Sequence, residues 1–340
     1  MLRISVLALL GLSGLFLART EGAEPVHLIL DTDIGNDVDD ALALAMIHAL
    51  QNRAEVQLLA VTITKDNRYA APFVDLVNTF YGRPDIPIGV VRDGKTKDDS
   101  AMLQVPAEER DAAGKPLYSH RLRDGSEAAE AVQLLTSILS RQPDESVTIA
   151  QIGFSTNLAR LLDSPGGSEL IKRKVKVLCL MAGNFEKPQP EYNVYTDPES
   201  AKILFDKWPT PMIFSGFEIG LQVPFPYEAV ALDFGYVAHH PIAEAYRLYV
   251  KKPEDHPNWD STAVLEAILP DRGYFDLSSP GRVALGPTST TVFTPDAHGN
   301  CRYLITKPDQ LARVRQLIAD LVTEPPQGIA SAALARRVVF

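Results

Sequence analysis

Five aspartates stand within ten positions of the segment ILDTDIGNDVDDALALAM, which covers residues 29–46. They are Asp31, Asp33, Asp37, Asp39 and Asp40. The first two close an apolar run, and the others lead into an apolar pattern with helical spacing. Helix capping would account for one or two of these acids, but not for carboxylates at the end of a buried strand. The segment therefore indicates a cation held by oxygen ligands, for which Ca²⁺ and Mg²⁺ are suited.

Two other interpretations of the acidic segment can be compared with its spacing. An EF-hand loop beginning at Asp31 would need glycine at its sixth position and glutamate at its twelfth. Asn36 and Leu42 occupy those positions, so the segment is not such a loop. A phosphatase of the haloacid dehalogenase type also opens with DxD after a strand, but its second acidic pair lies further downstream. Here the second pair follows at once, which fits that class less well.

The elements that would position these residues alternate along the chain. Apolar runs with strand character are separated by amphipathic helical patterns, which predicts an α/β fold with a mainly parallel central sheet and helices on both faces. The runs are VHLILDTD, VQLLAVTIT, IPIGVV, VTIAQIG, VKVLCLMAG and PMIFSGFEIG. Beyond residue 225 the pattern predicts small C-terminal β and α additions. Ligands of such sheets bind at the C-terminal ends of the strands, where the first aspartates would lie.

Length and composition favour one large domain. The chain has 340 residues, of which 46% are apolar and 22% are charged, and its net charge is −10. Surfaces that bind nucleic acids are usually basic, so no nucleic-acid partner is expected. We predict a single domain at residues 24–325, followed by a tail at residues 326–340.

The first 23 residues have the order of a secretory signal peptide. Arg3 precedes a mostly apolar stretch from Ile4 to Leu17, and small and polar residues follow. The stretch is too short to span a bilayer comfortably. We expect cleavage near Ala23, export to the periplasm or the medium, and no stable membrane anchor; an uncleaved anchor is the alternative. Cys179 and Cys301 could form one disulfide in an exported protein.

The segment DTDIGNDVDDALAL resembles the N-terminal signature of the inosine–uridine nucleoside hydrolase family, DxDxGxDDAxAL. Two extra residues separate the glycine from the acidic pair, and the most economical alignment makes Asn36 and Asp37 the insertion. The resemblance then implies Asp33 as general base and metal ligand, Asp40 as a metal ligand, and Asp39 as a substrate contact near the metal. Asp37 could instead take over a ligand role, and both alignments stay open.

Later segments resemble the same family in the same order, so that the matches span about residues 26–305. AVTITKDN ends in Asn67, for which the resemblance implies a contact with the sugar. IAQIGFSTNLARLL implies that the backbone carbonyl of Ile152 binds the metal, and NWDSTAVLEAI supplies Asp260 as the last metal ligand. LMAGNFEKPQPEYNVYTDPES resembles the segment that lines the ribose pocket. The residues implied there are Met181, Asn184, Glu191 and Asn193.

The residue before Asp260 departs from the purine-cleaving members of the family. Those relatives keep a histidine there, which protonates the leaving base, whereas this chain has Trp259. An indole cannot donate a useful catalytic proton, but it could stack on a base. The sugar and metal half of the site thus resembles the family, while the leaving-group half does not. If another acid exists, His120 and His256 are the first candidates.

The resemblance implies a Ca²⁺-dependent hydrolase that cleaves the N-glycosidic bond of a ribonucleoside or a related N-riboside, and a possible homo-oligomer. An exported nucleoside- or ribose-binding protein without catalysis is the alternative. Asp33 favours the enzyme, because a binding protein needs ligands more than a general base. Neither interpretation identifies the base.

Overall fold

The computed structural model describes residues 24–328, so the predicted signal peptide and the tail beyond residue 328 lie outside the described part. Its core is an 11-stranded sheet. The strands are β1 (Val26–Thr32), β2 (Val56–Lys65), β3 (Ile88–Lys95), β4 (Ala129–Glu130), β5 (Val147–Gln151), β6 (Val175–Met181), β7 (Met212–Ser215), β8 (Phe275–Leu277), β9 (Gly281–Leu285), β10 (Thr291–Pro295) and β11 (Cys301–Thr306).

Helices connect most of these strands. They are α1 (Asp39–Asn52), α2 (Ala70–Phe80), α3 (Ala101–Glu108), α4 (Ala131–Arg141), α5 (Thr156–Asp163), α6 (Gly167–Lys174), α7 (Tyr192–Thr196), α8 (Pro198–Lys207), α9 (Phe217–Gln222), α10 (Tyr227–Leu232), α11 (Pro241–Tyr249), α12 (Asp260–Ile268) and α13 (Leu311–Val322). Single 3₁₀ turns lie at Gly125–Glu127, Pro270–Arg272 and Pro287–Ser289. Each long apolar run of the sequence is therefore followed by at least one helix.

The strand order is β10-β9-β11-β7-β6-β5-β1-β2-β3-β4, and β8 pairs with β11. All pairs from β11 through β7, β6, β5, β1, β2 and β3 to β4 are parallel. The pairs that include β8, β9 and β10 are antiparallel. The predicted fold is confirmed: a single α/β domain with a mainly parallel sheet and a small C-terminal β addition.

Two hydrophobic cores cover the two faces of the sheet. Leu28 and Leu30 of β1 pack into the core formed with α1, α2, α11, α12 and α13. Ile29, between them, packs into the core formed with α4, α5, α6 and α8. Successive side chains of a strand point to opposite faces, which explains why an unbroken apolar run is needed here. The helices on both faces hold β1 and its closing aspartates in place.

One strand ends earlier, and one helix begins later, than the apolar pattern of its sequence suggests. The run PMIFSGFEIG is strand only to Ser215, because Gly216 turns the chain and Phe217 begins α9. A Cβ on Gly216 would lie 2.4 Å from the Glu218 carboxylate, so glycine leaves room for that side chain at the turn. The segment EAAEAVQLLTSIL has the apolar spacing of a helix from its first residue, but its helix begins at Ala131, because Glu130 accepts a hydrogen bond from the backbone of Gln133 and caps it.

The two cysteines do not form the disulfide that the sequence left open. Cys179 and Cys301 are both buried and free. Between residues 24 and 328, no helix is long and apolar enough to cross a membrane.

Candidate active site

A pocket of about 250 Å³ opens at the C-terminal ends of β1, β5 and β6. This is the edge of the sheet where the sequence predicts a ligand. The residues that line it are Asp33, Asn36, Asp37, Asp39, Asp40, Ile152, Met181, Glu191, Tyr192, Asn193, Phe217, Tyr249, Trp259 and Asp260. Most of the predicted site residues therefore share one cavity.

The floor of the pocket is formed where the N-termini of α1 and α12 meet. Asp39, Asp40 and Asp260 are buried, and one carboxylate oxygen of each lies within 4.8 Å of those of the other two. The Asp39 carboxylate accepts hydrogen bonds from the backbone N–H groups of Trp259 (2.9 Å) and Asp260 (3.1 Å). The Asp40 carboxylate accepts one from the Thr32 hydroxyl. These buried oxygens could hold a metal ion, and such a donor set suits a hard divalent cation.

Asp33 and the carbonyl of Ile152 lie beside this floor because the ends of β1 and β5 pass very close together. The backbone N–H of Ile152 donates to the Asp31 carbonyl at 2.7 Å. A Cβ on Gly153 would lie 2.4 Å from the backbone nitrogen of Asp33 and 2.6 Å from the Thr64 hydroxyl. Glycine is the residue that permits this approach, and it brings the predicted carbonyl ligand to the predicted general base.

A buried polar chain fixes the Asp33 side chain. The Asn36 amide donates to the Asp33 carboxylate at 2.8 Å, and the Lys65 ammonium donates to the Asn36 carbonyl oxygen at 2.8 Å. Lys65 is only 3% exposed. Sequence reasoning treated Asn36 as part of an insertion and missed this role; its position three residues after Asp33 was the available signal.

The opposite wall presents polar groups held by backbone contacts. The Glu191 carboxylate caps α7 and accepts hydrogen bonds from the N–H groups of Gly183 (3.0 Å) and Asn193 (2.8 Å). The Asn193 amide donates to the carbonyls of Ile152 and Met181, each at 3.1 Å. The predicted ribose-pocket residues Met181, Glu191 and Asn193 thus line the same cavity.

Two other residues predicted to contact substrate lie outside the lining residues. The Asn67 amide donates to the Lys97 carbonyl (3.2 Å) and to the Asp99 carboxylate (2.9 Å), which anchors the chain after β3. The Asn184 side chain accepts from the backbone of Lys187 at 2.9 Å. Both amides are used within the protein, so their predicted sugar contacts stay predictions.

Asp31 lies behind the pocket. Its carboxylate accepts hydrogen bonds from the Thr62 hydroxyl (2.6 Å) and the Asn157 amide (2.9 Å), while its second oxygen is buried without a partner. Burial raises the pKa of Asp31 to about 7. Asp31 and Asn157 therefore join β1, β2 and α5 beneath the site, and neither residue lines the pocket.

The side of the pocket around Trp259 is aromatic. The indole of Trp259 stacks on Phe217 with ring centroids 5.4 Å apart, and its N–H donates to the Phe217 carbonyl at 2.9 Å. Asp37 bonds to the His256 imidazole at 2.8 Å, so the structure places it with the aromatic residues rather than in the three-carboxylate group. Sequence reasoning missed Tyr192, Phe217 and Tyr249, because they resemble ordinary helix-end aromatics.

The buried carboxylates of the pocket hold protons unusually tightly. Burial raises the pKa of Asp33 to about 7, against the effect of its hydrogen bond from Asn36. The pKa values of Asp39, Asp40 and Asp260 are raised well above the ordinary range, first by burial and then by repulsion from neighbouring aspartates. A cation among them would favour their ionised forms.

We expect stabilisation of the protein by calcium to increase as the pH rises toward about 7, the raised pKa of the predicted ligand Asp33. Without a cation, carboxyls with raised pKa values favour the folded state at low pH, and this contribution is lost as the pH rises through those values. Bound calcium would remove this loss. The lowered pKa values of buried His48 and His240 act in the opposite direction in both forms, so the test is the difference between thermal unfolding with calcium and with chelator. A difference that does not change with pH would contradict the expectation.

Solved structures of nucleoside hydrolases share this architecture. A plant nucleoside hydrolase, PpNRh1, aligns with a TM-score of 0.66 at 22% identity, covering 88% of this chain and 100% of that one. The inosine-uridine preferring nucleoside hydrolase from Bacillus anthracis aligns with a TM-score of 0.64 at 20% identity, covering 88% and 99%. At these identities the likeness shows a common fold.

The chain belongs to the inosine-uridine preferring nucleoside hydrolase family, whose family model matches residues 28–309. The pyrimidine-specific ribonucleoside hydrolase RihA of Enterobacter sp. (strain 638) is 31% identical over 205 residues. That match covers 56% of this chain and 60% of the enzyme, so the chain spans less than two thirds of the length of this curated relative. The resemblance noted in the sequence is confirmed at the level of the family.

Proposed function

We propose that this protein hydrolyses the N-glycosidic bond of a ribonucleoside or a related N-riboside in a Ca²⁺-dependent reaction. The observation that carries the proposal is the pocket itself. It brings a base candidate, Asp33, a buried carboxylate group and the polar residues Glu191 and Asn193 into one cavity. Membership of the nucleoside hydrolase family supports the same reaction.

The metal would be held by Asp33, Asp40, Asp260 and the Ile152 carbonyl, with Asp39 alongside. The fit rests on the donor chemistry: these groups are oxygen ligands, Asp40 and Asp260 lie with Asp39 in the group of buried carboxylates, and Asp33 is a buried carboxylate that lines the same pocket outside that group. When bound, Ca²⁺ would supply positive charge that lowers the pKa of a water molecule and attracts the ribose hydroxyls.

The protein residues then have separate tasks. Asp33 would take a proton from the water whose oxygen attacks the anomeric carbon, and its bond from Asn36 keeps the carboxylate oriented for this. Backbone N–H groups hold the Glu191 carboxylate, which would orient it toward the ribose. As the bond to the base stretches, the sugar acquires oxocarbenium character, which the surrounding carboxylates favour electrostatically.

Hydrolysis of p-nitrophenyl riboside tests this function without knowledge of the natural base. We expect turnover with calcium and its loss on chelation, with recovery when calcium is restored. Ribose binding without turnover would instead support the exported, non-catalytic binding protein. The curated relative is named pyrimidine-specific, so uridine and cytidine are the first natural nucleosides to compare.

Trp259→Ala should weaken binding of a natural nucleoside by about 1–3 kcal/mol, the range for base–aromatic stacking. The indole lines the pocket, and we propose that it stacks on the leaving base. Steady-state kinetics should show a larger loss for the nucleoside than for p-nitrophenyl riboside, and Trp259→Phe should retain most of the binding. Equal losses for both substrates would identify Trp259 as a packing residue of α12, consistent with its close contact to Gly220.

Export is a separate proposal, supported by the Arg3-led apolar segment. The mass of the mature protein should place its N-terminus between about residues 19 and 25. A cytosolic protein that retains Met1 would contradict it.

A further inference from the structure

The leaving-group side of the pocket combines aromatic faces with a carboxylate. We call Asp37, Phe217, Tyr249 and Trp259 the acidic aromatic wall; all four line the pocket. The imidazole of His256 lies behind the wall, with its ring centroid 5.5 Å from that of Tyr249 and 6.1 Å from that of Trp259. Among the described residues that line the pocket, none is lysine, arginine or histidine.

Polar hydrogens near this wall are already directed at acceptors within the protein. The Tyr249 hydroxyl is hydrogen-bonded to the Asp37 carboxylate, and burial together with that negative charge raises its pKa. The Trp259 N–H donates to the Phe217 carbonyl. The His256 imidazole is bonded to Asp37 and does not line the cavity. The wall therefore offers negative charge and aromatic faces, but no free proton donor.

This arrangement restricts the leaving groups that can depart. When the bond from the anomeric carbon to a neutral base breaks, the base receives the electron pair and needs a proton or another stabiliser. When the ring nitrogen at that bond carries a formal positive charge, the same electron pair neutralises it and the base leaves uncharged. Water supplies the new oxygen–carbon bond, and its proton goes to Asp33, so no acid is required.

We propose that the preferred substrate is a cationic N-riboside, such as a pyridinium riboside, whose charged ring lies against the acidic aromatic wall. This rests on the proposed hydrolytic function and specifies its substrate class. The faces of Trp259 and Tyr249 would attract the ring by cation–π interaction, and the Asp37 carboxylate would add direct charge attraction. Trp259 then replaces a proton donor that this substrate would not need.

The first test compares binding of two ring compounds that differ in charge. Inhibition of p-nitrophenyl riboside hydrolysis by 1-methylnicotinamide, a cation, should be about tenfold stronger than inhibition by neutral nicotinamide. Asp37→Asn should bring the two inhibition constants close together. Asp206→Asn is the matched control, because it removes an exposed carboxylate paired with Lys202 outside the pocket. It should retain the preference for the cation.

The second test uses substrates. Nicotinamide riboside should be hydrolysed with a kcat/KM at least about tenfold above that of uridine, and Asp37→Asn should reduce kcat/KM for nicotinamide riboside more than that for p-nitrophenyl riboside. The inference would be overturned if p-nitrophenyl riboside is hydrolysed but 1-methylnicotinamide inhibits no better than nicotinamide and nicotinamide riboside is cleaved no faster than uridine. The hydrolytic function would then still stand. Absence of all turnover would overturn both.

His256→Gln separates this inference from one in which the imidazole acts as the leaving-group acid. Glutamine cannot act as an acid, and the Asp37 carboxylate stays in the wall, so the preference for cationic rings should persist. A loss of uridine hydrolysis of more than about tenfold, with p-nitrophenyl riboside still cleaved, would show that His256 supplies a proton. That result would overturn the assignment of the wall to cationic leaving groups.

Discussion

Asp33→Asn should lower turnover of p-nitrophenyl riboside by about 10²-fold or more at saturating calcium. The asparagine keeps the size of the side chain but cannot accept the proton of the attacking water. The polar chain from Lys65 through Asn36 holds this side chain within the pocket, so the replacement should remain in place. Turnover is measured over a calcium titration, because Asp33 is also a proposed metal ligand.

The control for this variant is Asp163→Asn, which removes an exposed carboxylate paired with Lys207. It should behave like the wild-type protein in both turnover and calcium dependence. If Asp33→Asn retains turnover within about threefold of wild type once calcium saturates, another group must act as the base, and the proposed role of Asp33 is incorrect.

Asp260→Asn should have the largest effect on the affinity of the protein for calcium. Altering an outer-shell partner typically costs 10–100-fold in metal affinity, so replacing a proposed direct ligand should cost at least about 100-fold. The backbone N–H of Asp260 would still bond to Asp39, which keeps the meeting of α1 and α12 intact. Calorimetric titration with calcium gives the affinity, and thermal unfolding checks that the variant is folded.

Asp271→Asn provides the comparison, because Asp271 is exposed just beyond the other end of α12. Its calcium affinity should equal that of the wild-type protein. Equal affinity in Asp260→Asn would mean that the pocket floor does not bind calcium through this residue. Low turnover combined with unchanged affinity would assign Asp260 to the sugar instead.

The sequence was sufficient for the parallel part of the fold because its signals are local. A continuous apolar run such as the one ending at Asp31 must be covered on both faces, and this requirement alone predicts helices on both sides. The acidic cluster by itself also indicates a cation. Asp39 and Asp260 are far apart in the sequence, so their meeting came from resemblance to a family and not from periodicity.

The contacts that local patterns cannot supply are those made by loops. The Asn67 amide is occupied by the chain after β3, and Asn184 is held by the backbone of its own loop; both depend on loop paths. Tyr249 ends α11 and reaches the pocket only because that helix packs against α3 and α1. Its spacing in the sequence is that of an ordinary amphipathic helix, which is why only Trp259 of the aromatic residues in the acidic aromatic wall was predicted to contact a substrate.

The close passage at Gly153 has a consequence for how this protein could have diverged. The backbone of Asp33 and the Thr64 hydroxyl lie against Gly153 and leave no room for a Cβ there. Any side chain at position 153 would therefore force the two strand ends apart. This close contact is separate from the wall that contains Trp259. An insertion or a new aromatic residue in that wall can therefore leave the carboxylates of Asp39, Asp40 and Asp260 in place. Substitutions that change substrate selectivity can then accumulate around Trp259 while the carboxylate floor stays the same.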